Sequence, residues 1–207
     1  MHAAWPLSPH TGCLEVICGP MFSGKTEELI RRLRLAAIAR QRVQIFKSAK
    51  DVRYDETEIV SHADSRLQSE PITSADQIFA KLHPKTRVVG IDEAQFLGNE
   101  LIAITQTLVD RGLRVIIAGL DQDFRGEPFE PMPQLLAIAE VITKQPAVCV
   151  ICSAPATRTQ RLVCNDDRVL VGASESYEAR CRRCHDSSGH AQTEFLPRQK
   201  TKIVVSA

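Results

Sequence analysis

Residues 19–26 read Gly19-Pro20-Met21-Phe22-Ser23-Gly24-Lys25-Thr26, a glycine, four residues, then Gly-Lys-Thr. Each position of that spacing has a chemical use. A Gly-rich turn lets successive backbone N–H groups point into one concavity, where they bind phosphate oxygens. Lys25 is placed to reach the β- and γ-phosphates, and the Thr26 hydroxyl to ligate Mg²⁺. An apolar run at 14–18 precedes the stretch and a helical pattern follows from Thr26. Strand, loop and helix in that order are what a phosphate cradle requires, so a nucleoside-triphosphate site is expected here.

A second chemical element is Arg87-Val88-Val89-Gly90-Ile91-Asp92-Glu93. An apolar strand ending in Asp is the Walker B pattern, in which Asp92 supports Mg²⁺. Glu93, next in the chain, is expected beside the γ-phosphate as a general base for an attacking hydroxyl or water. The plainer alternative is a surface or helix-capping carboxylate.

The chain has seven cysteines. Cys149-Val150-Ile151-Cys152 and Cys181-Arg182-Arg183-Cys184 are two knuckles able to place four thiolates about 2.3 Å from Zn²⁺. Four thiolates leave no open position, so a structural zinc is expected. His185 is a competing ligand by position only, because the cysteines complete the set. Cys13, Cys18 and Cys164 lack paired spacing, and Cys18 is expected to be a buried small hydrophobe.

The elements that must position these groups follow from periodicity. A helix is expected over 26–40, with Leu29, Ile30, Leu33, Ala36 and Ala37 at helical spacing and Arg31, Arg32 and Arg34 as a solvated face. A strand over 42–47 runs into the polar segment 48–54, past a strand's carboxyl end, where ligands bind in open α/β sheets. A long loop is expected over 55–70, with His62 a surface residue, then a short helix over 74–82 ended by His83-Pro84. A helix over 99–111 stops at Gly112, a buried strand spans 113–120, and a last helix spans 134–141. In the loop after 120, Phe124 and Phe129 read equally as a base-binding wall or as core. The stretch 157–167 is polar, and 168–172 is strand-like.

Together these predict an α/β fold: a phosphate-binding parallel sheet covered by helices, plus a small zinc ribbon. The expected division is a flexible N-terminal extension (1–13), a nucleotide-binding domain (14–145), a zinc-binding domain (146–187) and a tail (188–207). A formal net charge of +1 with 25% charged residues gives no electrostatic case for nucleic acid or membrane as a partner. No apolar run approaches the roughly 20 residues that span a bilayer, and the first residues lack the basic and apolar regions of a secretory signal. A cytoplasmic protein with reduced cysteines is expected.

Three classes are then open. If Glu93 activates water the chain is an ATPase, and Asp92-Glu93-Ala94-Gln95 resembles a helicase Walker B. If Glu93 activates an organic hydroxyl it is a kinase. A zinc-ribbon binding module leaves the phosphate loop unexplained. The chain is short for a helicase and lacks a basic patch interleaved with aromatics.

The chain resembles the cellular, zinc-containing type of the thymidine kinase family from about Leu14 to His185. The matching residues are 19–26, Lys50-Asp51-Val52-Arg53-Tyr54, Ile91-Asp92-Glu93-Ala94-Gln95-Phe96, and Gly119-Leu120-Asp121-Gln122-Asp123-Phe124-Arg125-Gly126-Glu127-Pro128-Phe129. Val171-Gly172-Ala173 with Tyr177 and the two cysteine pairs complete the set. The resemblance implies ATP-dependent phosphorylation of the 5′-hydroxyl of thymidine, and of deoxyuridine, with Mg²⁺ and a structural zinc. It implies that Glu93 is the catalytic base and that Lys25 and Arg53 offset charge on the phosphoryl group. It places Asp51, Arg53, Asp92 and Gln95 with residues 19–26 at the nucleotide, and Met21, Phe96, Leu120, Phe124, Phe129 and Tyr177 around the thymine. It assigns Arg168-Val169-Leu170-Val171-Gly172 to a lasso loop that grips the base through backbone groups. It further implies a homotetramer inhibited by thymidine triphosphate. Leu97, where a second Phe is common, is a departure, as are the extension and tail.

Overall fold

A computed structural model describes residues 11–49, 58–60, 66–163 and 175–187. In chain order, β1 (Cys13–Cys18), α1 (Lys25–Ile38) and β2 (Val43–Ser48) open the fold. Next come β3 (Glu58–Val60), β4 (Arg66–Gln68), β5 (Glu70–Ile72), α2 (Gln77–Lys81) and β6 (Val88–Asp92). A 3₁₀ turn (Ala94–Phe96), α3 (Glu100–Asp110), β7 (Arg114–Gly119), α4 (Met132–Ile138) and β8 (Val141–Lys144) come after it. The last elements are β9 (Ala147–Val148), β10 (Pro155–Ala156), β11 (Arg158–Arg161) and β12 (Tyr177–Arg180).

Among the described residues, six strands form one parallel sheet in the order β5-β2-β6-β7-β1-β8. Its central strands are continuous apolar runs, as strands buried on both faces must be. Alternation then sorts their side chains. Ile17, Val88, Ile116 and Ala118 meet Leu29, Ile30, Leu33 and Ala36 of α1 on one face. Leu14, Val16, Val89, Ile91, Val115 and Ile117 meet Ile78, Leu101, Ile104, Leu108, Met132 and Leu135 of α2, α3 and α4 on the other. Each fully buried aliphatic side chain contributes about 1.5–3 kcal/mol, so these two faces hold the sheet rigid. Because all six strands run the same way, β1, β6 and β7 deliver their carboxyl ends to one edge. Residues 19–26, Asp92-Glu93 and Leu120 all leave from that edge.

Four expectations need correction. The segment 55–70 is not wholly loop: β3 and β4 pair antiparallel, and β5 joins the sheet beside β2. Three-residue strands are too short to show a period. The last helix starts earlier and stops at Ile138, because the edge of β1 claims residues 140–144. Glu140 donates its N–H to the Leu14 carbonyl and accepts the Leu14 N–H on its carboxylate, and Val141 begins the pairing with β1. The expected helix over 26–40 ends at Ile38.

Arg32 is not part of a solvated face. Its guanidinium bonds Glu15 at 2.8 Å, Glu28 at 2.7 Å and Thr143 Oγ1 at 2.8 Å. Glu15 is buried within β1 and is also held by Arg114 at 2.6 Å. Removing one member of such a buried network leaves charges without compensation. Glu15→Gln is expected to cost about 3 kcal/mol, read as a lower urea midpoint at unchanged slope. Glu28, bonded first by Arg31 and then by Arg32 against the cost of its burial, has its carboxyl held down at about 2. Its contribution to stability is present above the ordinary carboxylate range and is lost as pH falls toward 2.

Candidate active site

The loop after β1 adopts backbone angles that few residues tolerate. Gly19 has φ 146°, Phe22 φ 65° and Gly24 φ 78°. A Cβ on Gly19 would lie 2.2 Å from the Gln145 carbonyl oxygen, so only glycine fits there. The Ser23 hydroxyl and the Lys25 ammonium both donate to the Pro20 carbonyl at 2.8 Å. Gly24 caps α1, whose unpaired N–H groups and dipole favour an anion at this end.

Across from α1, the Thr26 hydroxyl donates to Asp92 Oδ2 at 3.2 Å. Asp92 is buried at the end of β6. Its carboxyl is pushed up to about 7, chiefly by burial and then by Glu93, while the Glu93 N–H, Lys47 and Lys25 act the other way. A hydroxyl and a carboxylate are hard oxygen donors suited to Mg²⁺, and a buried carboxylate beside a second one fits a cation. Thr26 and Asp92 could therefore hold Mg²⁺.

Glu93 sits at φ 53°, ψ 43°, the left-handed region, at a cost of about 1–3 kcal/mol for a residue with a side chain. Its N–H donates to Asp92 Oδ1 at 3.0 Å. Gln95, on the 3₁₀ turn, donates from Nε2 to Glu93 Oε2 at 2.5 Å and accepts the Leu120 N–H on Oε1 at 3.0 Å. The structure thus brings Lys25, Thr26, Asp92, Glu93, Gln95 and Leu120 to one edge of the sheet.

The aromatic residues gather on the Leu120 side. Phe124 and Phe129 are 5% and 8% exposed, so they serve as core whatever else they contact. Phe96 is half-buried and meets Phe129 edge-on, with centroids 6.1 Å apart. Arg161 is 0% exposed, with its guanidinium carbon 3.7 Å from the Phe124 centroid and Nη2 donating to the Tyr177 hydroxyl at 2.9 Å. Arg158 bonds Gln122 through Nη1. The Met21 N–H donates to Thr159 Oγ1 at 3.0 Å, which joins the loop after β1 to β11. Arg158, Thr159, Gln160 and Arg161 are all buried. The sequence marks this stretch only as polar, and a buried polar strand carries no hydrophobic period by which to find it. Asp51, Arg53, Arg168, Val169, Leu170, Val171 and Gly172 lie outside the described residues.

The four knuckle sulfurs lie within 4.8 Å of one another, with Cys152–Cys181 at 3.6 Å and Cys152–Cys184 at 3.7 Å. A tetrahedron with metal–sulfur bonds of about 2.3 Å separates its sulfurs by about 3.8 Å, so the donor set fits zinc. Burial raises the Cys149 thiol, but backbone N–H groups of Cys181, Cys152 and Ile151 outweigh it and bring it to about 6. His185 turns away from the cluster, with Nε2 2.8 Å from the Phe124 carbonyl oxygen. Cys18 and Cys13 are buried and pushed up to about 11, first by desolvation, as befits unreactive core thiols.

Residues 12–185 match the family model for thymidine kinase. The chain is 59% identical over 175 residues to a thymidine kinase of Bdellovibrio bacteriovorus, covering 84% of this chain and 86% of that protein. It is 57% identical over 185 residues to a thymidine kinase of Rhodothermus sp., covering 89% and 86% respectively. Among solved structures, domain III of the Thermotoga maritima replication initiation protein DnaA aligns at a TM-score of 0.40 and 18% identity, over 65% of this chain and 55% of its own. That likeness is too slight to carry an argument.

Proposed function

This chain belongs to the thymidine kinase family, and on that premise we propose that it moves the γ-phosphoryl group of ATP to the 5′-hydroxyl of thymidine with Glu93 as general base. The observation that carries the role of Glu93 is its place. It follows the Asp92 that meets Thr26, in a costly backbone conformation, with its carboxylate tied by Gln95 to the strand end at Leu120. Strain of this kind persists only where the surroundings impose it, and it concentrates at working sites.

In this reading the carboxylate of Glu93 accepts the 5′-hydroxyl proton as the oxygen attacks phosphorus in line. The N–H groups of residues 19–24 cradle the phosphates, and Lys25 and Arg53 offset charge on the group in transit. Asp51 lies in the same nucleotide-binding segment as Arg53. Thr26 and Asp92 hold Mg²⁺, which when bound neutralises phosphate charge. Met21, Phe96, Leu120, Phe124, Phe129 and Tyr177, with residues 168–172, enclose the base. One methyl changes binding by only about 1–3 kcal/mol, so deoxyuridine is also an acceptor.

Cys149, Cys152, Cys181 and Cys184 hold a structural zinc. The separate small core of Ala147, Cys149, Ala156, Ala179 and Cys181 supports treating 146–187 as a unit beside the nucleotide-binding residues 14–145. On the family resemblance we further propose a homotetramer, inhibition by thymidine triphosphate, and work in the cytoplasm supplying DNA synthesis.

The test is ATP turnover against a panel of nucleosides with the products identified. Thymidine and deoxyuridine are expected to yield 5′-monophosphates with one ADP released for each. ADP released without a phosphorylated nucleoside would overturn the assignment in favour of an ATPase.

A further inference from the structure

Gln95 is 4% exposed and bonds at both ends of its amide. Oε1 accepts the N–H of Leu120, the first residue after β7, at 3.0 Å. Nε2 donates to Glu93 Oε2 at 2.5 Å. The orientation of the amide follows from its neighbours. A backbone N–H can only donate, so the oxygen must face Leu120, and the NH₂ is left for an acceptor, which the Glu93 carboxylate is. Gly119 leaves the space that this side chain fills, since a Cβ there would come within 2.9 Å of Gln95 Oε1.

Glu93 needs such a tether. Its backbone turns through the left-handed region, and its side chain is half-buried. A carboxylate that must meet a substrate hydroxyl loses rate when it drifts, and a misplacement of about 1 Å can cost 10²-fold. The Gln95 amide fixes one oxygen of Glu93 relative to the end of β7. The same turn carries Phe96 against Phe129. One short 3₁₀ turn therefore couples the base to the strand end and to the aromatic residues beside it.

We propose that Gln95 is a positioning residue that aims the Glu93 carboxylate by linking it to the Leu120 backbone. This rests on Glu93 being the base. The family resemblance groups Gln95 with the nucleotide-binding positions, and the ATP Kd separates that role from the tether.

Gln95→Glu separates the two bonds of the amide. One carboxylate oxygen still accepts the Leu120 N–H, but an oxygen now faces Glu93 where a donor stood. The expected result in the full-length enzyme is a kcat lowered by about 10- to 100-fold, with KM for ATP and for thymidine and the ATP Kd near their original values. Gln95→Met keeps the volume without adding charge and is expected to lose kcat likewise, which covers a Gln95→Glu protein that fails to fold. Because Gln95 acts through Glu93, Glu93→Gln/Gln95→Glu should turn over no more slowly than Glu93→Gln alone.

A weakened ATP Kd with kcat preserved would make Gln95 a phosphate ligand and overturn the proposal. So would an additive loss in the double variant. Unchanged kcat in Gln95→Glu beside an inactive Glu93→Gln would sink the tether alone. Full turnover by Glu93→Gln would instead sink the assignment of the base.

Discussion

Glu93→Gln is expected to lower thymidine phosphorylation by about 10²–10⁴-fold while leaving ATP binding near its original strength. The substitution is selective because of what it keeps. Gln has the length of Glu and no worse a fit to the backbone at φ 53°. Its amide oxygen can still accept the N–H that Gln95 now gives to Glu93 Oε2, so the side chain stays in place. The Asp92 carboxylate keeps its contacts with Thr26 and with the N–H of residue 93, so the groups assigned to Mg²⁺ and phosphate are untouched. What disappears is a proton acceptor. Steady-state kcat with saturating thymidine, set beside an ATP titration of the same protein, checks the prediction. Near-normal kcat would mean that the 5′-hydroxyl loses its proton elsewhere, and the 3₁₀ turn after β6 would then be structural only.

How much of this site the sequence discloses depends on how local its physics is. β1, β6 and β7 are apolar runs, and α1 and α3 repeat their apolar residues at helical spacing. Their positions follow from composition and period, and with them the meeting of Thr26 and Asp92 at one sheet edge. The four cysteines are legible because thiolate pairs have few other uses at that spacing. Legibility fails where a distant partner decides. β8 exists because the edge of β1 needs pairing, and β3 and β4 define each other. Arg161 is buried because Phe124 and Tyr177 receive its charge, and Gln95 faces Glu93 because an N–H 25 residues later takes its oxygen. Arg32 is an instructive miss, since a glutamate inside an apolar strand signals that some cation must reach it. Glu15 is that glutamate, and Arg32 reaches it from α1.

Removing the proposed zinc should act on the proposed acceptor side of the site before the phosphate side. The cluster around the knuckles has a core of Ala147, Cys149, Ala156, Ala179 and Cys181, in which the two cysteines belong to the four whose sulfurs could hold a metal ion. So small an apolar core does not offset the entropy of ordering its chain, and units of this size draw their folding free energy from the metal. β12 ends at Arg180, one residue before Cys181, and holds β11 in register from Arg158 to Arg161. Through that pair the knuckles place Thr159 against the Met21 N–H, Arg161 against Phe124 and the Tyr177 hydroxyl, and His185 against the Phe124 carbonyl. The six-stranded sheet, with its own two apolar faces, does not depend on them. Chelation under mild heating, or Cys181→Ser, is therefore expected to weaken thymidine affinity about tenfold or more, the equivalent of one or two lost hydrogen bonds. ATP affinity should change less, and metal analysis should find one zinc per chain in the untreated protein. Active protein without zinc, or equal losses of both affinities, would show that the knuckles do not support the acceptor side. Phe22 gives the second outcome a physical route, since it packs against the knuckle core from within the phosphate loop. The ratio of the two affinity losses therefore measures how far the cysteine cluster holds the acceptor side apart from the loop that binds phosphate.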